Sequence, residues 1–160
     1  MRECFEALGF GGVRTVLASG NVVFEASGFE ATDASHASRL SELKTRIERA
    51  LGERFGYDAW IVLTTTDHVR AVIDAFPFDA GDDTRQPWVV FASGSDVLDE
   101  LAGAEGLDPA TDPIARGDGV VYWNPVKGTT TDTPFAKLLA KARFKPTTTN
   151  RNLRTLQKLV

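Results

Sequence analysis

The chain has 160 residues, of which 42% are hydrophobic, 25% charged and 9% aromatic, the make-up of a globular protein rather than a disordered, fibrous or collagenous one. One cysteine, Cys4, excludes an internal disulfide and every Cys-rich zinc pattern, and the absence of any run of about 18 apolar residues excludes a membrane-spanning helix. The net charge of −4 conceals an asymmetry: residues 134–160 hold seven bases and no acid, +7, which leaves −11 on residues 1–133.

From the N-terminus, Cys4, Phe5 and Leu8 share one side at helical spacing and Gly9 stands where a helix stops. Two β-prone runs, Val13 to Leu17 and Val22 to Phe24, flank Ser19-Gly20-Asn21, so a hairpin is expected there. Residues 27–37 are small and polar, a loop, and Leu40, Leu43, Ile47 and Leu51 then recur at the spacing of an amphipathic helix ending near Arg54. Tyr57 to Leu63 reads as a further strand. This first series is α-β-β-α-β.

Thr64 and Asp67 form a capping pair for a helix carrying Val69, Val72, Ile73 and Phe76 on one face and ended by Pro77. After a Pro, Gly and Asp loop over 77–86, Trp88 to Ala92 is a strand and Ser95 caps a helix with Leu98 and Leu101 inward. Ile114 to Arg116 and Val120 to Trp123 pair across Gly117-Asp118-Gly119. Thr133 and Pro134 open a helix at N-cap and N1, an extended piece covers 145–149, and a last helix starts at Asn150. This second series, β-α-β-β-α-β with a terminal helix, is the ferredoxin-like unit. The fold expected is therefore α+β: two tandem ferredoxin-like halves, the first without its opening strand, arranged as residues 1–64, a connection over 65–86, and residues 87–160.

VRTVLASGNVVF at 13–24 and TTTNRNLRTLQKL at 147–159 resemble the two signatures of the uncharacterised bacterial proteins grouped as domain of unknown function 1697. The resemblance implies a bacterial protein of two ferredoxin-like halves and leaves the biochemistry open. Members begin with an extra strand and a Gly-rich turn bearing Arg-Gly-Ile-Asn, which lie upstream of this sequence's first residue, and they carry Trp where this chain has Leu153.

The sharpest candidate site is an anion site at the start of the last helix. Thr149 or Asn150 would cap it, and Arg151, Arg154 and Lys158 would fall on one helical face opposite Leu153, Leu156 and Val160, with Asn152 and Thr155 flanking. Such a stripe serves phosphate or a nucleic-acid backbone; the plainer alternative is pairing of its bases with carboxylates of the acidic body. Arg14, Ser19 and Asn21 at the hairpin form a secondary candidate, although Gly20 and Asn21 are explained by the turn itself and neither His36 nor His68 is placed beside Ser19 as a base. Asp79, Asp82 and Asp83 lack the ligand spacing of a calcium loop, and Cys4 reads as a small core residue. Trp88, Phe91, Tyr122 and Trp123 sit where RNA-binding relatives of this unit stack bases, but the alternation of faces favours core packing.

The function expected is binding rather than catalysis: an anionic ligand, nucleic acid included, on the basic C-terminal face. The alternatives are a small enzyme with a groove between the halves, and an interaction module that dimerises through the incomplete first sheet. No catalytic residue, cofactor or metal site is assigned, no membrane partner is expected, and the N-terminus MRECFE lacks the apolar stretch of a signal peptide, so the location expected is cytoplasmic.

Overall fold

The computed structural model describes residues 1–16, 20–27 and 36–160. These form an α+β protein with two antiparallel sheets, divided into one compact unit of Met1–Thr64 with Leu159 and another of Thr65–Lys158 with Val160. No helix among the described residues is long and apolar enough to cross a membrane.

In the first unit, α1 (Arg2–Ala7) ends at Leu8, and Gly9 follows with φ +83°, the left-handed conformation that glycine adopts without a Cβ penalty. Strands β1 (Gly11–Val16) and β2 (Asn21–Glu25) pair antiparallel. Helix α2 (His36–Phe55) begins four residues before the apolar periodicity does and buries Leu43, Ile47 and Leu51 on one stripe. Those residues form a core with Cys4, Phe5 and Val13, to which Phe10 and Phe24 add an aromatic contact at 4.5 Å. Cys4 is thus a packed core residue.

Residues 57–63 depart from expectation. Ala59, Ile61 and Leu63 pack on this core with the alternation of a strand, yet the segment joins no ladder among the described residues. Its Ile61 N–H donates instead to Glu48 Oε1 of α2, at 2.9 Å. A period-two pattern specifies which side chains face a core; a strand also needs a neighbour whose backbone is free to pair.

The second unit opens with α3 (Thr66–Asp74), capped by Thr65, whose hydroxyl accepts from His68 N at 3.1 Å, one residue later than the Thr64 cap expected. There follow β3 (Trp88–Ala92), α4 (Ser95–Ala102), β4 (Ile114–Gly117), β5 (Val120–Trp123), α5 (Pro134–Leu139), β6 (Thr148–Asn152) and α6 (Leu153–Leu156). The sheet order is β4-β5-β3-β6 with every pair antiparallel, so β3 is central although it comes first. Gly94, not Ser95, is the N-cap residue of α4, and it supplies no side-chain bond. The β4–β5 turn is closed by Asp118 and Gly119, with Gly119 at φ +67°, a pair suited to two-residue hairpins.

Both faces of β3 are covered. Val90 packs with Val121, Trp123, Leu98, Leu101 and Phe135 on the face of α4 and α5. On the other face, Tyr122 packs edge-on against Phe76 and donates its hydroxyl to Val72 O at 2.9 Å. Burial, aided by Asp118, raises the Tyr122 pKa above its ordinary value.

Asp112 ties the elements of this unit together. It is 1% exposed, and its two oxygens accept from Trp123 Nε1 at 2.6 Å and from Phe135 N at 2.9 Å. Thr133 supplies the expected cap, accepting from Ala136 N at 3.1 Å, with Pro134 at N1. Asp112→Ala strands two buried N–H groups, so urea unfolding of that variant is expected to show a loss of about 3 kcal/mol. A loss within experimental error would mean that neither bond matters to the fold.

Candidate functional site

The basic C-terminal segment is built differently from the helix expected at Asn150. Residues Thr148–Asn152 form β6, an edge strand laddered to β3 with Val89 opposite Arg151, Val90 opposite Asn150 and Phe91 opposite Thr149. Successive strand residues point to opposite faces. Arg151 and Thr149 therefore share the face of Val89, and Asn150 lies on the other, exposed. The expected cluster of Thr149, Asn150, Arg151 and Asn152 is divided by the sheet, and a helical stripe of Arg151, Arg154 and Lys158 does not exist.

The helix that does form, α6, has four residues, and its cap is Asn152, whose Oδ1 accepts from Arg154 N at 3.0 Å. Leu153 and Leu156 are buried while Arg154 and Lys158 are exposed. Arg151 is half-buried, donating to Thr149 Oγ1 at 2.5 Å and to Asn150 O at 2.9 Å, and burial lowers its pKa from the ordinary arginine value. It keeps its charge, as arginine does, but that charge is held along its own strand. The exposed bases of the segment are Lys137, Lys141, Arg143, Lys145, Arg154 and Lys158, of which Arg143 is ion-paired with Glu100 at 2.5 Å.

At the hairpin, Ser19 lies outside the described residues. Arg14 Nη2 donates to the carbonyl of Leu159, and Asn21, 9% exposed, donates Nδ2 to Val16 O at 3.2 Å. Asn21 thus closes its own hairpin. His36 is the first residue of α2, and His68 lies in α3, packed against the Gly119 turn. The strand aromatics are core: Phe91, Tyr122 and Trp123 are 5%, 3% and 1% exposed, which leaves no platform for stacked bases on the central strands.

One cleft in the second unit was not legible from residue spacing. It is lined by polar residues that include Asp79, Asp82, Arg85 and Asn124, and it touches neither the hairpin nor the C-terminal segment. The Thr84 hydroxyl, then its N–H, hold the Asp82 pKa below the ordinary carboxylate value. Asp79 and Asp82 belong to the acidic loop already noted in the sequence, whereas Asn124 carries no sequence signal beyond its place at the end of a strand.

The two arginines of the expected anion site should separate on mutation. Arg151→Ala removes packing and two intrachain hydrogen bonds, so thermal unfolding is expected to register a loss of about 1 kcal/mol. Arg154→Ala, at an exposed position, is expected to stay within about 0.5 kcal/mol of the parent. Equal effects in the two variants would contradict this assignment.

Among curated proteins, none matches this sequence. The structure is similar to that of the conserved bacterial protein SP0830 from Streptococcus pneumoniae, with a TM-score of 0.70 and 20% identity over 99% of this chain and 83% of that one. At that identity the likeness speaks to fold alone. A family model described as protein of unknown function (DUF1697) matches residues 1–122, which takes in the VRTVLASGNVVF stretch and stops short of the C-terminal one. The chain therefore belongs to the DUF1697 family.

Proposed function

We propose that the chain is a non-catalytic binding protein that takes a polyanion on the exposed bases of its C-terminal segment. One observation carries this: Lys137, Lys141, Lys145 and Arg154 are exposed and enter no ion pair among the described residues, whereas Arg143 is bridged to Glu100 at 2.5 Å. A basic block whose purpose was to fasten itself to an acidic body would direct these charges at carboxylates. Exposed, unbridged cations can instead neutralise charges of an incoming polyanion and release the counterions condensed on it, which favours binding at low salt.

Both units are read as ferredoxin-like, with residues 1–64 and 87–160 as the halves and 65–86 as the connection. The order β4-β5-β3-β6 supports this for the second half. For the first, the support is the β1–β2 hairpin and the strand-like packing of Ala59, Ile61 and Leu63. The location follows the expectation of a cytoplasmic protein.

Filter retention of a single-stranded oligonucleotide is the test. With four cations contributing, log K is expected to fall against log salt with a slope of about −3, and with Lys137→Ala, Lys141→Ala and Lys145→Ala combined the slope should approach about −1. No retention at low salt, or a triple variant indistinguishable from the parent, ends this reading.

A second reading concerns β2, which pairs only with β1 among the described residues and so presents an open edge. Open edges recruit strands from other chains, and a second copy of this chain is the simplest donor. Sizing chromatography coupled to light scattering is expected to give a dimer mass for the parent chain; a monomer mass refutes it.

A further inference from the structure

Strand β6 lies at the end of its sheet, and among the described residues it ladders with β3 and with no other strand. Two bonds at its ends show which of its backbone groups face that ladder. Ser93 N donates to Thr147 O at 2.9 Å, and Leu153 N donates to Pro87 O at 3.0 Å. In an antiparallel pair, residues that exchange bonds alternate with residues that do not. Thr149 and Arg151 therefore turn their N–H and C=O groups to β3, and Thr148, Asn150 and Asn152 turn theirs outward.

The fold has already used part of this outward set. Thr148 N donates to Phe144 O at 2.9 Å. Asn152 is the N-cap residue of α6, a position whose carbonyl accepts the first bond of the helix. Asn150 O accepts from Arg151 Nη1 at 2.9 Å and, as a carbonyl, keeps a second lone pair. Two donors stay open, the N–H groups of Asn150 and Asn152, together with two acceptors, the carbonyls of Thr148 and Asn150.

These four groups complement themselves. A two-fold axis at Asn150 sets two β6 strands antiparallel, with Asn150 opposite the second copy's Asn150 and Asn152 opposite the second copy's Thr148. Each Asn150 N–H then meets an Asn150 carbonyl, and each Asn152 N–H meets a Thr148 carbonyl. The contacts that such a pair lacks, Thr148 N–H to the Asn152 carbonyl, involve the two groups already satisfied inside the chain. Any other centre within the strand forms fewer of these bonds.

We propose that the second unit pairs with a second copy of this chain through β6, joining the two sheets edge to edge. Open strand edges are templates for this kind of pairing, and an edge this short makes a weak, concentration-dependent dimer. Two acid-free segments of +7 meet at the seam, so their repulsion opposes the pair at low salt and screening strengthens it. That salt dependence has the opposite sign to polyanion binding, and the pairing is independent of the β2 edge.

The test is amide hydrogen exchange of the full chain, followed by ¹⁵N-resolved NMR across a concentration series in which light scattering reads the mass. In the monomer the Asn150 and Asn152 amides face outward with no acceptor and exchange freely. Exchange at both is expected to slow at least roughly tenfold as the dimer fills. The Thr148 amide, already bonded within the chain, should change little, and added salt should raise the dimer fraction. A monomer at every concentration overturns the proposal. So does a dimer that salt weakens, or one in which Asn150 and Asn152 exchange as in the monomer while protection falls on β2 or elsewhere.

Discussion

The second unit depends on one buried carboxylate. Asp112 sits between the end of the long connection from α4 and the start of β4, and it accepts one hydrogen bond from a side chain of β5 and one from the backbone of α5. A carboxylate that is 1% exposed, with no cation bonded to it, is costly to bury unless its lone pairs are directed at donors. Here the donors come from two different elements, so the cost of removing the charge from water is offset only when β5, α5 and the connection are all in place. Burial of Trp123 and Phe135, whose rings meet at 5.4 Å, depends on the same condition. The polar and apolar halves of this core are thus cooperative, each satisfied by the geometry that satisfies the other.

That arrangement also explains where the cleft comes from. Asp112 fixes Pro113 and Ile114, and the carbonyl of Pro113 accepts from Asn124 N at 3.0 Å, which sets the end of β5 beside the start of β4. Arg85 then bridges Ala110 and Asn124 from the loop after α3. Three segments distant in sequence are stitched to one another by backbone carbonyls, and backbone held in this way leaves space between loops instead of collapsing onto the sheet. Asn124 is the junction residue, with its main chain fully engaged and its side-chain oxygen without a donor.

Much of the fold was legible where a local rule coincided with a tertiary one. Thr133 and Pro134 begin α5 as N-cap and N1 because the same hydroxyl that caps the helix also lies beside the Asp112 site. Leu43, Ile47 and Leu51 mark α2 because a helix stripe and a core face demand the same spacing. The failures fall where the two rules part. Residues 145–149 read as an extended piece and Asn150 as the start of a helix, because Thr149 and Asn150 have cap chemistry, yet the strand runs over Thr148–Asn152 and the helix starts at Leu153: β3 needs a partner for its free edge, and a polar strand fills that place when only one neighbour is required. Residues 57–63 carry a strand's alternation and take no strand partner among the described residues, since Glu48 claims an N–H that a ladder would have used. The family resemblance at 13–24 lies within the stretch the family model matches.

The candidate site shows the same divide between charge, which sequence records, and placement, which it does not. The +7 of residues 134–160 is a property of composition, but in the fold Arg151 is drawn half-inside along β6 and Arg143 is bridged to Glu100, so the cations left exposed without a bridge are Lys137, Lys141, Lys145 and Arg154. Net charge has little authority over this surface. At physiological ionic strength the Debye length is about 8 Å, so charges farther apart than a few side chains scarcely feel each other. An acidic body does not prevent an exposed run of lysines from holding an anion. What such a surface can bind is set by the few groups within reach and by which of their hydrogen bonds the fold has already taken.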